Sequence, residues 1–552
     1  MKLFKKIPKK LLLITAIYVI VFSIISIIKY NLFLYSAYDL ALFNQTLWNT
    51  FHGAPFWISV TFPHIYLYDH IDGWLALILP IYGLFQHPIT LLILQSFFIG
   101  IASIPLYFIA QYFWETKKIS ATKASAEQFA LGIAILWLLN PFIHNVNLFE
   151  FHVLPFFPFF LFSAIYAYLK NNRLWYVIMF TIAVCNREDT GFVALGMVLI
   201  LIIDWFKNKT NRKNILFFII ASLAIISVWS LISYQIIAFF SELGGIKYVS
   251  HYSWLGSGAW PNIIIQHILS MQNVNVFIGM LMPFAFLSIL KPRWILLSTV
   301  PLAAVFLLND TIDHTSILHL HYMASIMPGF FIAFIESFIS ITKAKNKMYI
   351  QLTILIVFIA TIYTSMFFGP LWPKNLPTFI EIVRERAHTW EIATKNEKFK
   401  NYTLADEHYL PALSFSKNLY AVAQVYRGEK EFTDLLYPLP CDVENVIMSN
   451  TKITQSAMFS SFYNDKRASL QNIQKVLNCS PIKNFYYDDA LSIAYDTKEK
   501  TVPTEIINAG ALKNIQIKTN KNEIIITGNF ELSQDIIWNK IVLRAEVFDA
   551  KH

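Results

Sequence analysis

From about residue 10 to 370 the chain alternates long apolar runs with short polar links; after residue 375, Lys, Glu, Asp and Asn recur every few positions. A helix that crosses a bilayer needs about 20 apolar residues, and shorter ones serve inside a bundle. On that criterion spans are expected near 11–29, 90–114, 128–144, 153–169, 174–187, 190–206, 214–240, 275–290, 294–308, 322–341 and 349–369. One more apolar run, 73–86 (GWLALILPIYGLFQ), invites counting as a further span. The pattern predicts an α-helical polytopic membrane domain, residues 1–370, followed by an extracytoplasmic mixed α/β domain, residues 371–552.

Loop charge decides how 73–86 is read. If it lies along the membrane surface, the inner links 1–10, 115–127, 170–173, 207–213, 291–293 and 342–348 hold nineteen Lys and Arg. The outer links then hold only Arg187 and Lys247, with Lys29 at a border. Making 73–86 a span would invert every later loop and export most of those charges. Cytoplasmic loops collect Lys and Arg, so the expectation is eleven spans, N-terminus in and C-terminus out. The leading MKLFKKIPKK resembles the start of a signal peptide, but the apolar stretch behind it is too long and lacks a small-x-small cleavage site before Asp39. It reads as a retained first span.

Composition agrees: 56% of residues are hydrophobic and 14% charged, against roughly half and a quarter in soluble domains. The net charge of +9 does not imply a nucleic-acid partner, because many of the basic residues sit in short links where topology needs them. The chain contains no Walker-type GxxxxGK[ST], no CxxC, no HExxH and no convincing serine-nucleophile elbow. An ATP-driven transporter and a standard metalloprotease therefore lose support.

Candidate chemistry crowds the expected outer side. Eleven of the fourteen histidines fall there and none in an inner link, together with Asp39, Asp69, Asp72, Glu150, Glu188, Asp189, Asp310 and Asp313. Interfacial preference accounts for many of the rings but poorly for carboxylates, which are costly at membrane depth and usually face a cavity. Asp39 opens a stretch, ALFNQTLW, with helical spacing that suits a helix on the membrane surface. It is either an N-cap or a carboxylate at a cavity mouth, acting as general base or metal ligand. Glu150 and His152, in NLFEFHVLPFF, stand with Asp39 as candidate catalytic groups. In NREDTG, Arg187, Glu188 and Asp189 are either an internally paired cluster or a phosphate site in which the planar fork of Arg187 meets phosphate oxygens. His70, Glu188, Asp189, His319 and His321 join Arg187 as candidate substrate-binding residues. The His-x-His pair in NDTIDHTSILHLHY, beside Asp310, Asp313 and His314, could also bind a divalent metal, although no fixed ligand set accompanies it.

YDLALFNQTLWNTFHG, HIDGWLALILPIYGLF, EFHVLPFFPFFLF, REDTGFVALGM, HYMASIMP and, in the tail, ADEHYLPALS together resemble a prokaryotic membrane-protein family, a domain of unknown function. That family in turn resembles the GT-C glycosyltransferases, such as the protein mannosyltransferases and the aminoarabinose lipid A transferases. In those enzymes an acidic residue follows span one, and Asp39 matches that place. His70 sits where they often carry His-Pro-Pro; here the triplet is His-Ile-Asp, a departure from the mannosyltransferase pattern. The resemblance implies a polyprenyl-phosphate-linked sugar as donor and leaves the sugar and the acceptor open. A transporter or lipid flippase and a non-catalytic scaffold that binds lipid carriers remain alternatives.

In the tail, a helix near 376–396, strands at YTLA, LYAVA and ENVIMSN, a short helix at HYLPALS, a helix near 466–477 and a β-rich KNIQIKTNKNEIIITGNF suggest a small open sheet followed by a hairpin or sandwich. The expected role is acceptor binding or a structural cap. Cys441 and Cys479 share the outer, oxidising side and are expected to pair.

Overall fold

The computed structural model describes residues 7–35, 37–61, 63–117, 123–240, 268–306, 314–344, 347–371, 401–427, 440–449, 479–482, 484–488, 491–493, 512–520 and 523–530, with Ile265 and Val476. The chain divides into two compact units: Met1–Ile28 with Leu67–Pro377, and Lys29–Tyr66 with Thr378–His552.

The first unit is helical. Its elements are α1 (Lys9–Asn31, whose last residues pass into the second unit), α3 (Gly73–Leu84), α4 (Pro88–Ile101), α5 (Ser103–Thr116), α6 (Lys123–Leu139), α7 (Pro141–Leu148), α8 (Phe157–Leu169), α9 (Arg173–Val184), α10 (Thr190–Lys207) and α11 (Arg212–Phe240). Helices Met271–Leu281, Leu296–Phe306, Met323–Ala344 and Lys347–Phe368 follow. Among the described residues, six helical stretches are long and apolar enough to cross a membrane, or seven if the bent pair Ser125–Leu139 and Pro141–Leu148 is one span. The protein is a multi-pass membrane protein, mostly helical.

Two departures from the expected spans have local causes. The stretch 275–290 is not one helix: after Met271–Leu281 it breaks into 3-10 turns Met282–Phe284 and Leu287–Leu290. Pro283 cannot donate a helical hydrogen bond, and Ala285 and Phe286 turn with φ of 47° and 62°. The α6–α7 stretch bends by 46° at Asn140–Pro141. There Asn140 caps α7 by accepting from Phe142 N and Ile143 N, and proline fits the first helical position.

The second unit joins the first loop to the tail. Its α2 (Asp39–Phe51) begins at Asp39 itself, with Tyr38 in the capping position. Asp39 is therefore not the N-cap; its carboxylate lies in the first turn, where the helix dipole favours negative charge. Nor is α2 an exposed surface helix, since Leu40–Leu47 and Asn49 are buried. Asn44 donates to Ser414 Oγ at 2.9 Å and Gln45 to the Ser416 carbonyl at 2.6 Å, polar groups a membrane-surface helix would leave in water. A short hairpin, β1 (Trp57–Ile58) with β2 (His64–Ile65), follows.

The tail forms a five-stranded sheet of order β4-β3-β5-β6-β7, from β3 (Thr403–Ala405), β4 (Leu419–Ala421), β5 (Asn445–Ser449), β6 (Asn484–Asp488) and β7 (Leu491–Ile493). All neighbours are parallel except β6 with β7. The outer edge of β4 is covered by the first loop: Ser59 Oγ donates to Leu419 O at 2.7 Å and Ala421 N donates to Val60 O at 3.3 Å. Covering an edge removes a site for stray strand pairing. Phe33, Ala41 and Val60 complete the core formed by Ala405, Tyr409, Leu410, Leu413, Leu419 and Ile447. LYAVA is strand only to Ala421, beyond which Val422–Arg427 is helical. The β-rich end is a hairpin of β8 (Leu512–Asn520) with β9 (Glu523–Phe530). Cys441 and Cys479 form a disulfide, with Cα atoms 5.1 Å apart. The helices expected near 376–396 and 466–477 fall outside the described residues, apart from Val476.

Candidate functional site

The turn between α9 and α10 carries Arg187, Glu188 and Asp189, and several bonds hold it in place. Thr190 Oγ1 donates to Val184 O at 2.7 Å, Asn186 Nδ2 donates to Val153 O at 2.9 Å, and Trp229 Nε1 on α11 donates to Arg187 O at 3.0 Å. Gly73, at the start of α3, lies so close to the Cys185 carbonyl that no Cβ fits. Trp74 Nε1 donates to Ile182 O at 3.1 Å, which brings the segment before α3, with His70, against this turn.

The three charges do not share partners. Arg187 grips Asp189 through Nε and Nη2, a two-point contact suited to its planar fork. Glu188 instead accepts from His70 Nδ1 at 2.6 Å and from Ile71 N at 2.9 Å. Burial alone would lower the His70 pKa, but the Glu188 carboxylate outweighs it and the net shift is upward. Burial would raise Glu188, yet His70 and then Arg187 bring it down to about 2. Both members therefore carry charge in mildly acidic water. Side-chain exposure is 24% for His70, 17% for Glu188, 12% for Arg187 and 45% for Asp189, so Asp189 is the wettest of the four.

Two more candidates meet beside this turn. His152, just after α7, stacks on His321, just before Met323–Ala344, with ring centroids 3.6 Å apart and planes 16° from parallel. Phe149 and Tyr322 flank the stack. Burial pushes the His152 pKa down to about 3 and that of His321 well below its ordinary value; Arg187 and His70 lower both further. The stack is neutral at neutral pH, and both ring nitrogens of His321 are buried without a hydrogen-bond partner. Arg187, His70, His152 and His321 thus feel one another's charge within the first unit.

Gln95 on α4, which sequence reasoning passed over, builds the loop that carries His152. Its Oε1 accepts from His152 N at 2.8 Å, and its Nε2 lies 3.0–3.2 Å from the carbonyls of Val146, Asn147 and Glu150. An amide inside an apolar run was the available signal, since polar groups at membrane depth must be satisfied. Glu150 is buried, with 2% exposure.

His319 does not join its neighbour two residues on. It pairs through Nδ1 with Asn145 at 3.2 Å, while Asn145 also donates to Leu318 O and Phe368 O. The His-x-His pair is thus split between two environments. No group of three or more His, Cys, Asp or Glu that could hold a metal occurs among the described residues; Asp310 and Asp313 lie outside them. In the second unit Asp39 is half-buried, and Asp406, Glu407 and His408 are buried where β3 ends. Their signal in the sequence was an Asp-Glu-His run directly after a strand.

A family model described as "Predicted membrane protein (DUF2079)" matches residues 29–477. The chain belongs to this family, a predicted membrane protein domain of unknown function. The match includes α2, the α9–α10 turn and the sheet up to β5. No curated protein matches the chain.

Proposed function

We propose that this DUF2079 protein is a membrane glycosyltransferase of the GT-C kind, with eleven spans and a polyprenyl-phosphate-linked sugar donor used at the extracytoplasmic face. The observation that carries the reading is the gathering of Arg187, the His70–Glu188 pair and the neutral His152–His321 stack within one unit. In the reaction, the bond from the sugar's anomeric carbon to the carrier phosphate breaks as a bond to the acceptor oxygen forms. Arg187 stabilises the charge that accumulates on the departing phosphate, a role in which preorganised donors act strongly. Asp189, the most exposed of the turn's charged groups, is the partner Arg187 exchanges for phosphate. Glu150, a candidate catalytic group in the same unit, takes the proton of the acceptor hydroxyl, and Glu188 holds His70 in one orientation.

The test is turnover of labelled polyprenyl-phosphate sugars by purified protein in lipid. Glu150→Gln is expected to lower turnover by ~10²–10⁴-fold, and Arg187→Lys to weaken donor binding because the two-point fork is lost. Absence of turnover with every donor, or full activity per folded molecule in Glu150→Gln, overturns the reading.

One observation favours the transporter or flippase alternative. Ionisable pairs also occur far along the same helices: Arg293 with Asp204 on α10 at 2.7 Å, and Lys117 with Glu336 on Met323–Ala344 at 3.3 Å. Asp204 stands about 20 Å along α10 from its start at 1.5 Å per residue. Movement of the carrier between leaflets without its consumption would support this alternative.

A further inference from the structure

At the α8–α9 and α10–α11 connections, two short loops are bound into one surface. Asn171 Oδ1 accepts from Asn214 Nδ2 at 2.7 Å and from Asn211 Nδ2 at 3.2 Å, and Arg173 Nε donates to Asn214 Oδ1 at 2.7 Å. Asn171 turns with φ of 55°, a left-handed conformation that asparagine tolerates better than most residues. The joined loops read KNNR and KNKTNRKN, six cations and no acid. The acids that approach from packed elements are Asp204, already held by Arg293 and Tyr168, and Glu115 on α5, whose field reaches Tyr107 and Tyr166. Aromatic rings hold part of the basic layer: Arg212 lies 4.8 Å over Trp205, Arg173 4.7 Å over Phe217 and Lys170 4.7 Å over Tyr112. Immediately beside these cations, Leu174 and Phe206 are 68% and 63% exposed.

We infer that the surface formed by Lys170, Arg173, Lys207, Lys209, Arg212 and Lys213 is a binding site for the headgroup of an anionic phospholipid. A soluble anion would use the cations alone. A lipid uses both features, its phosphate among the cations and its chains along the exposed apolar side chains one residue away. Aromatic rings beneath cations suit the headgroup level of a bilayer, and basic surfaces at helix ends recognise anionic lipids electrostatically. The site is independent of the glycosyltransferase reading and requires no catalysis.

The test uses the full chain in nanodiscs of phosphatidylcholine alone or with phosphatidylglycerol, reading thermal stability and, by native mass spectrometry, retained lipid. The variants are Lys207→Gln/Lys209→Gln/Lys213→Gln and the corresponding triple Lys→Arg. These lysines are exposed, so equal stability of all three proteins in phosphatidylcholine establishes that they fold. Phosphatidylglycerol is expected to stabilise the wild type and the Arg triple and to be retained by both. In the Gln triple its binding is expected to weaken by about 100-fold, from roughly 1 kcal/mol per cation at 1.4 kcal/mol per tenfold. An undiminished effect in the Gln triple overturns the inference. So does an equal effect of inorganic phosphate or polyglutamate on the wild type, or no advantage of phosphatidylglycerol over phosphatidylcholine.

Discussion

Arg187, Glu188 and Asp189 are adjacent in sequence, but Glu188 finds its partner in His70, 118 residues away. Internal pairing of charges was one of two readings NREDTG left open, and Arg187 with Asp189 realises it; the Glu188–His70 pairing was not legible, because only the packing of α3 against the α9–α10 turn creates it. Acidity should affect the two kinds of histidine oppositely. His70, with its pKa raised above 6.5, contributes stability that is present below that value and fades as pH rises through its folded pKa. Glu188, lowered from 4.5, contributes above that value and loses it on acidification. The stability lost in His70→Gln is therefore expected to be largest between 4.5 and 6.5 and to shrink at alkaline pH. His152 and His321 have lowered pKa values, so folding favours their neutral forms; stability is full above 6.5 and declines below it. His321→Phe keeps the stack and removes a proton site, and should lessen the acid loss of thermal stability. A pH–Tm series that coincides with that of the wild type would count against this account.

Among the elements, hydropathy alone located most helices, because burial of apolar residues in lipid or core is written in composition. It did not locate the breaks. The interruption at 282–290 and the bend at Asn140–Pro141 come from single prolines and caps, which are small signals inside long apolar runs. Gln95 shows how one side chain organises an element that hydropathy treats as loop. Gln95→Leu leaves the His152 amide and nearby carbonyls without their partner, at a cost of ~1–3 kcal/mol per buried group left unsatisfied. The expected outcome is a lowered Tm together with loss of the His152–His321 stack. An unchanged Tm would mean that other groups replace it.

For the whole molecule, orientation is the property that loop charge addresses most directly. Reporter fusions after Lys118, Lys209 and Lys345 are expected to report cytoplasm, and fusions after Glu150 and Thr378 the opposite side. A reporter after Lys118 that read external would reverse the placement of 73–86. The Cys441–Cys479 disulfide is consistent with a tail on an oxidising side. Membrane class, the placement of most helices and the charged character of the α9–α10 turn were readable from residue order, since each depends on local composition; the Cys441–Cys479 pairing was expected only from a shared side of the membrane, and the geometry of the fold supplies it. The union of Lys29–Tyr66 with the tail, the strand order β4-β3-β5-β6-β7, the Glu188–His70 pair and the His152–His321 stack were not readable. Each joins segments far apart in the chain. Such contacts form only when buried polar groups such as Asn44, Gln45 and Gln95 find distant partners, and periodicity along a single segment carries no record of which partner that will be.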